Sequence, residues 1–165
     1  MIGIIVLFAL ALGGYSKAQA TSTNAPVPAT ATPQNTVTAQ PLSEETYDDK
    51  NSAFAYSSGW QSISTTKAFN GSYRETTLNG ASVTFPFTGQ SFSIIYKGGV
   101  TFSKFDVYVD GQLVGTLNQK LGAATYQQRW DYPGQLALGQ HTLQLVFKVT
   151  SATIYRGSLD AVIVH

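Results

Sequence analysis

Few residues in this chain could do chemistry, and Asp160 is the sharpest of them. In the last apolar segment, SLDAVIV (Ser158 to Val164), Asp160 shares the strand phase of Val162 and Val164. If that pair faces a core, the carboxylate is buried with it and must be hydrogen-bonded or metal-bound, because an unpaired buried charge is too costly. Acceptance of backbone N–H bonds is the plainer of those two solutions. The opposite phase, with Leu159, Ala161 and Ile163 inward, exposes Asp160 and removes the demand.

Aromatic rings are the second source of chemistry, since a sugar is held by stacking its C–H face on a ring with planar polar groups alongside. Simple alternation puts Tyr126, Trp130 and Tyr132 on one face of a strand and Gln127, Arg129 and Asp131 on the other. Large rings are mostly buried, so packing is the favoured role for Trp130 and for Trp60, with Arg129 in an exposed polar row. Tyr73, Phe102 and Tyr155 lie near loops, where ligand contacts concentrate. Phe102, close to Gly98-Gly99, is of most interest if it is exposed, since an apolar loop tip needs an explanation. The ligand-binding candidates are therefore Tyr73, Phe102, Arg129, Trp130, Tyr155 and Trp60.

Catalytic signatures are sparse. The chain has no cysteine, which removes disulfides, thiol catalysis and thiolate metal sites. His141, in LGQHTL, is expected to bond backbone, and His165 is the last residue, a position prone to disorder. Two histidines so far apart make no metal site. No serine sits in a nucleophile elbow and no glycine loop is built to cradle phosphate. A glycosidase needs two carboxylates about 5 to 9 Å apart. Glu75 with Asp106 or Asp131 leaves that option open, although carboxylates this sparse are usually solvated hairpin residues. Formal net charge is +1 and the ten Lys and Arg residues are scattered, so neither nucleic acid nor strong membrane association is indicated.

The elements that must position these residues read as β-strands. Turn signals recur at Asn70-Gly71, Asn79-Gly80, Gly98-Gly99, Asp110-Gly111 and Pro133-Gly134, with short alternating stretches between them. Strands are predicted near 54–56, 60–64, 72–76, 82–88, 91–97, 104–109, 113–118, 126–132, 142–149 and 158–164. Alternation turns Val83, Phe85 and Phe87, then Phe92, Ile94 and Tyr96, then Val107 and Val109, then Leu143, Leu145 and Phe147 towards a core. Asp110-Gly111 supplies the pair of positive φ angles that a two-residue hairpin turn requires. No segment has a helical period, so the expected fold is all-β, an antiparallel two-sheet sandwich of jelly-roll type.

Ahead of that domain the chain changes character. An apolar run from Ile2 to Leu12 leads to Ala18-Gln19-Ala20, the small-x-small pattern of a signal peptidase site, so residues 1–20 are read as a secretory signal peptide. The run is shorter than the roughly 20 residues of a membrane span, yet basic residues near Met1 are missing, which keeps an anchor as the alternative. Residues 21–45 are rich in Thr, Pro and Ala, carry no aromatic, and are expected to be a disordered tether. The sandwich domain is expected over 46–165.

The segments YDDKNSAFAYSSGW (Tyr47 to Trp60), ASVTFPFTGQSFSIIYKGG (Ala81 to Gly99), FDVYVDGQLVGTL (Phe105 to Leu117), LALGQHTLQLVF (Leu136 to Phe147) and SLDAVIV together resemble the galactose-binding-like jelly roll. This is the fold of many non-catalytic carbohydrate-binding modules of secreted bacterial proteins. The resemblance implies glycan binding through loops at an edge or end of the sandwich. It also implies, in many members, one structural calcium near the first and last strands. Asp48 or Asp49 resembles the family's first-strand acidic position, so Asp48 and Asp160 are the metal candidates. Two carboxylates would need carbonyls or water to complete the roughly six to eight oxygens of calcium. The expected function is non-catalytic binding of a polysaccharide or glycan by a secreted module. The alternative is a surface or matrix protein that self-associates, and a glycan-active enzyme comes third.

Overall fold

The computed structural model describes residues 44–149 and 155–165. The expected signal peptide, and the tether as far as residue 43, lie outside them. The strands are β1 (Glu45–Asp48), β2 (Ala55–Tyr56), β3 (Trp60–Ser64), β4 (Ser72–Thr76), β5 (Ser82–Gly89), β6 (Phe92–Gly98), β7 (Lys104–Val109), β8 (Gln112–Asn118), β9 (Thr125–Asp131), β10 (Gly139–Lys148), β11 (Gly157–Leu159) and β12 (Ala161–Val164). They form a four-stranded sheet in the order β1-β12-β6-β9, a five-stranded sheet β2-β5-β10-β7-β8 and a three-stranded sheet β11-β4-β3. All the strand pairs are antiparallel. Among the described residues no helix is long and apolar enough to cross a membrane.

The four- and five-stranded sheets enclose the core. All eleven residues that alternation points inward, on β5, β6, β7 and β10, lie in one buried cluster. Rings bridge the two sheets: Phe87 meets Phe92 edge-on at 5.5 Å, and Tyr47 of β1 meets Phe85 at 4.8 Å. Asp110 and Gly111 both take positive φ, 51° and 78°, and close the β7–β8 hairpin as expected. Asn70 and Gly71 do the same at 47° and 81° in the short 3-10 turn Phe69–Gly71.

Three features depart from simple alternation. The segment predicted as one strand over 158–164 is two, because the chain leaves the three-stranded sheet after Leu159 and enters the four-stranded sheet at Ala161. A bulge interrupts β7–β8, where Tyr108 pairs with Leu113 but Val107 with Gly115. A second bulge interrupts β9, where Gln127 takes φ 50° and the register against β6 slips. The C-terminus is also held: His165 donates its N–H to Ser91 O at 3.0 Å, and its carbonyl accepts from Gln90 and Ser91.

Candidate functional site

Asp160 stands at the junction between two sheets, and both strand phases fail to describe it, since Leu159, Asp160, Ala161 and Val162 are all buried. Its carboxylate accepts two bonds from the Phe69 N–H, at 3.0 and 3.2 Å, while its carbonyl accepts the Asp49 N–H at 2.9 Å. Burial is the main reason its pKa is raised to about 6; the Phe69 bond opposes this, and Asp49 and Asp48 add to it. Asp49 is fully buried, with Oδ1 accepting from Ser72 at 2.8 Å. Its Oδ2 has no hydrogen bond, and Arg74 Nε lies 3.8 Å away. Asp48 is half-buried, with an unpartnered buried Oδ1. The metal candidates named from sequence, Asp48 and Asp160, lie on neighbouring chain segments, since Asp48 pairs with Ala161 and the Asp49 N–H bonds the Asp160 carbonyl. Hard oxygen donors with unsatisfied lone pairs suit calcium in kind. As placed, no three acidic or histidine side chains among the described residues are grouped closely enough to enclose an ion.

The aromatic candidates separate. Tyr73 is buried, its hydroxyl receiving a 2.8 Å bond from Lys97 Nζ and lying 3.2 Å from Glu75 Oε2. Phe102 is not an exposed tip. Its N–H closes a turn onto Gly99 O at 3.1 Å, which folds the ring back beneath Lys97, and it is only 3% exposed. The missing side chain of Gly99 makes room, since a Cβ there would sit 3.3 Å from that ring. Val100 is the exposed apolar residue of the loop. Lys97 lies over three rings, Tyr73, Phe102 and Tyr126, at 5.1, 5.4 and 5.0 Å. The Gln127 bulge is what brings Tyr126 to this side, so Tyr126 and Trp130 do not share a face.

Trp130 packs against Phe92 at 6.1 Å and over Gly115. Trp60 stacks on Phe105 at 5.9 Å and donates its indole N–H to Ser82 O at 3.0 Å. Both indoles serve the core, as the burial preference of large rings implied. Arg129 is exposed but committed to a network, bonding Asp131 at 2.5 Å, with Ser93 and His165 beside it. His141 bonds backbone as expected, at 2.8 Å to Ala137 O, and also pairs with Asp110 at 2.7 Å.

Among the clefts formed by the described residues, two are of similar volume. One, of about 420 Å³, lies between β1 and the β5–β10 pair, with Glu45, Tyr47, Phe87 and His141 in its walls. Several of its polar groups are already engaged: Tyr47 bonds Glu45 at 2.6 Å, and both His141 nitrogens are occupied by Asp110 and the Ala137 carbonyl. The other, of about 400 Å³, lies over the end of the β7–β8 hairpin. Tyr155 and Phe102 contribute rings to its lining, while Ser103, Lys104, Thr116, Asn118 and Lys120 supply polar groups. Of the sequence candidates, this cleft gathers Phe102 and Tyr155 and leaves out the rest. Its lysines and Asn118 were missed because the β7–β8 bulge sets the register that places Lys104 opposite Asn118. Counting back from the Asp110-Gly111 turn without the bulge pairs Lys104 with Leu117.

No protein-family model matches the chain. The chain is 35% identical over 99 residues to an A type blood N-acetyl-alpha-D-galactosamine deacetylase of Flavonifractor plautii; the match covers 60% of this chain and 13% of the deacetylase, so this chain spans a small part of that relative. Among solved structures, a family 35 carbohydrate binding module from an environmental isolate superposes with a TM-score of 0.57 and 16% identity, over 73% of this chain and 93% of the module. A two-domain esterase active on acetylated mannans, crystallised with mannopentaose, gives 0.58 and 12%, over 73% of this chain and 36% of the esterase. The chain has the jelly-roll fold of carbohydrate-binding modules.

Proposed function

We propose that this domain binds carbohydrate without turning it over, as a secreted accessory module tethered through its N-terminal segment. The observation that carries the reading is the hairpin-end cleft, which sets a tyrosine ring beside hydroxyl, amide and ammonium groups and contains no carboxylate. Ring stacking plus a few directed polar contacts is what a sugar requires, and a pair of carboxylates is what glycoside hydrolysis requires. The fold's occurrence in carbohydrate-binding modules supports the carbohydrate part of this reading, and the relative named for a sugar deacetylase is consistent with that part alone. The test is a glycan array followed by calorimetry on the best ligand. Tyr155→Ala should weaken binding by roughly thirtyfold if the ring is an anchor worth about 2 kcal/mol. Tyr155→Ala binding as tightly as the native protein would move the site elsewhere, and an array without hits would remove the reading.

A structural calcium at the junction of the first and last strands is the second part of the proposal, motivated by the unsatisfied buried oxygens of Asp48 and Asp49. Asp48 and Asp49 would supply the unsatisfied oxygens near Asp160, and carbonyls or water would have to complete the shell, because no three acidic side chains among the described residues are grouped around one point. The ion would neutralise carboxylates that the fold otherwise buries at a cost. Millimolar calcium should then raise the Tm of chelator-treated protein near neutral pH. An unmoved Tm would leave the Phe69 and Ser72 bonds as the whole of the local solution.

A further inference from the structure

We propose that the hairpin-end cleft selects an acidic saccharide, its carboxylate or sulfate reached by Lys104 and Lys120; this rests on the carbohydrate reading above. All nine acidic residues of the chain fall within the described residues, and none lines this cleft. Neither Lys104 nor Lys120 is in an ion pair, whereas Lys148, Arg129 and Arg156 each have an acidic partner. Lys104 also stands directly opposite Lys148 across the β7–β10 ladder. Like charges in register repel, and Lys148 is drawn aside to Asp106 at 3.7 Å, which leaves Lys104 with nothing to neutralise it.

The remaining cleft groups are biased towards donation. Asn118 Oδ1 is already used by the Lys120 N–H at 3.1 Å, so its amide NH₂ is the part left to face a ligand. Two ammonium groups and an amide NH₂ in the same lining as the Tyr155 ring suit a sugar whose substituent is rich in acceptors and negatively charged. A neutral sugar would leave both cations unpaired as it displaced their water.

The test compares ligands that differ only in charge: chondroitin sulfate with its desulfated, carboxyl-reduced form, and oligogalacturonate with its methyl ester. Two exposed charge contacts predict binding of an acidic form about tenfold tighter than its neutral counterpart at low salt, falling as salt rises. Lys104→Gln combined with Lys120→Gln should abolish the difference and leave Tm unchanged. Equal affinity for charged and neutral forms would overturn the acidic assignment while the carbohydrate reading stood. Absence of binding to saccharides of every kind would overturn both. Equal capture of polyglutamate would make the cleft a general polyanion site and overturn its selection of sugars.

Discussion

At the residue scale, two ionisable groups both hold their protons more tightly in the folded state than in the unfolded chain, and they act in separate pH windows. Asp160 has a folded pKa raised from its ordinary 3.8 to about 6, chiefly because it is buried. The native state therefore takes up this proton before the unfolded chain does, so stability rises as pH falls through about 6 towards 4, and the ionised carboxylate is a cost above that window. His141 places one ring nitrogen against the Asp110 carboxylate and the other against the Ala137 carbonyl. Two acceptors demand two N–H groups, so the imidazolium fits this site and neutral imidazole does not. The Asp110 bond is the first cause of its raised pKa. This contribution is complete below the unfolded value near 6.5 and is lost as pH rises through the raised folded value. In chelator, Tm should gain on acidification in both windows. Asp160→Asn should flatten the lower one and Asp110→Asn the upper one; a profile unchanged by both substitutions would assign the slopes to other groups.

At the element scale, Gly157 is a position with no room for a side chain. A Cβ there would lie 2.5 Å from Phe105 Cζ and 2.5 Å from Phe147 Cδ2, two fully buried rings that cannot both retreat. Overpacking of this kind costs about 1 to 3 kcal/mol. Gly157→Ala should accordingly lower Tm by about 4 °C or more, against little change for Gly122→Ala, where a Cβ meets open space. Equal melting of the two variants would show that the rings repack freely. The strand positions and inward faces were legible in the sequence because Phe85, Phe92, Val107 and Leu145 recur with period two against polar neighbours. β1 was not, since in ETYD only Tyr47 presents an apolar ring and the strand is recognised by pairing with β12 rather than by pattern. The site was less legible than the fold for a physical reason: a bulge inserts one residue without a compositional mark, and everything beyond it changes partner. One bulge joins Lys104 to Asn118, another separates Tyr126 from Trp130, and the step at Asp160 makes its phase meaningless.

At the scale of the whole molecule, the question is whether the sheet edges invite a second copy, as the self-associating alternative requires. A flat, regular edge strand with free N–H and C=O groups is a template for pairing, and bulges, short strands and charge blunt it. Among the described strands, β2 at one edge of the five-stranded sheet has two residues. At the other edge β8 is bulged opposite Val107, although it carries an exposed Leu113. In the four-stranded sheet, edge strand β9 is bulged at Gln127 and presents Arg129 and Asp131, while β1 is four residues long with Glu45 at its start. Each of these four edges thus offers at most a few consecutive pairing positions, and the edges of the three-stranded sheet, β3 with five residues and β11 with three, are short as well. These are too few positions to repay the cost of association. The protein should sediment as a monomer at concentrations of about 100 µM, and a glycan ligand should leave that state unchanged unless the chain of sugars is long enough to span two modules. A concentration-dependent dimer abolished by Leu113→Lys would identify β8 as an assembly edge and favour the structural alternative over the binding one.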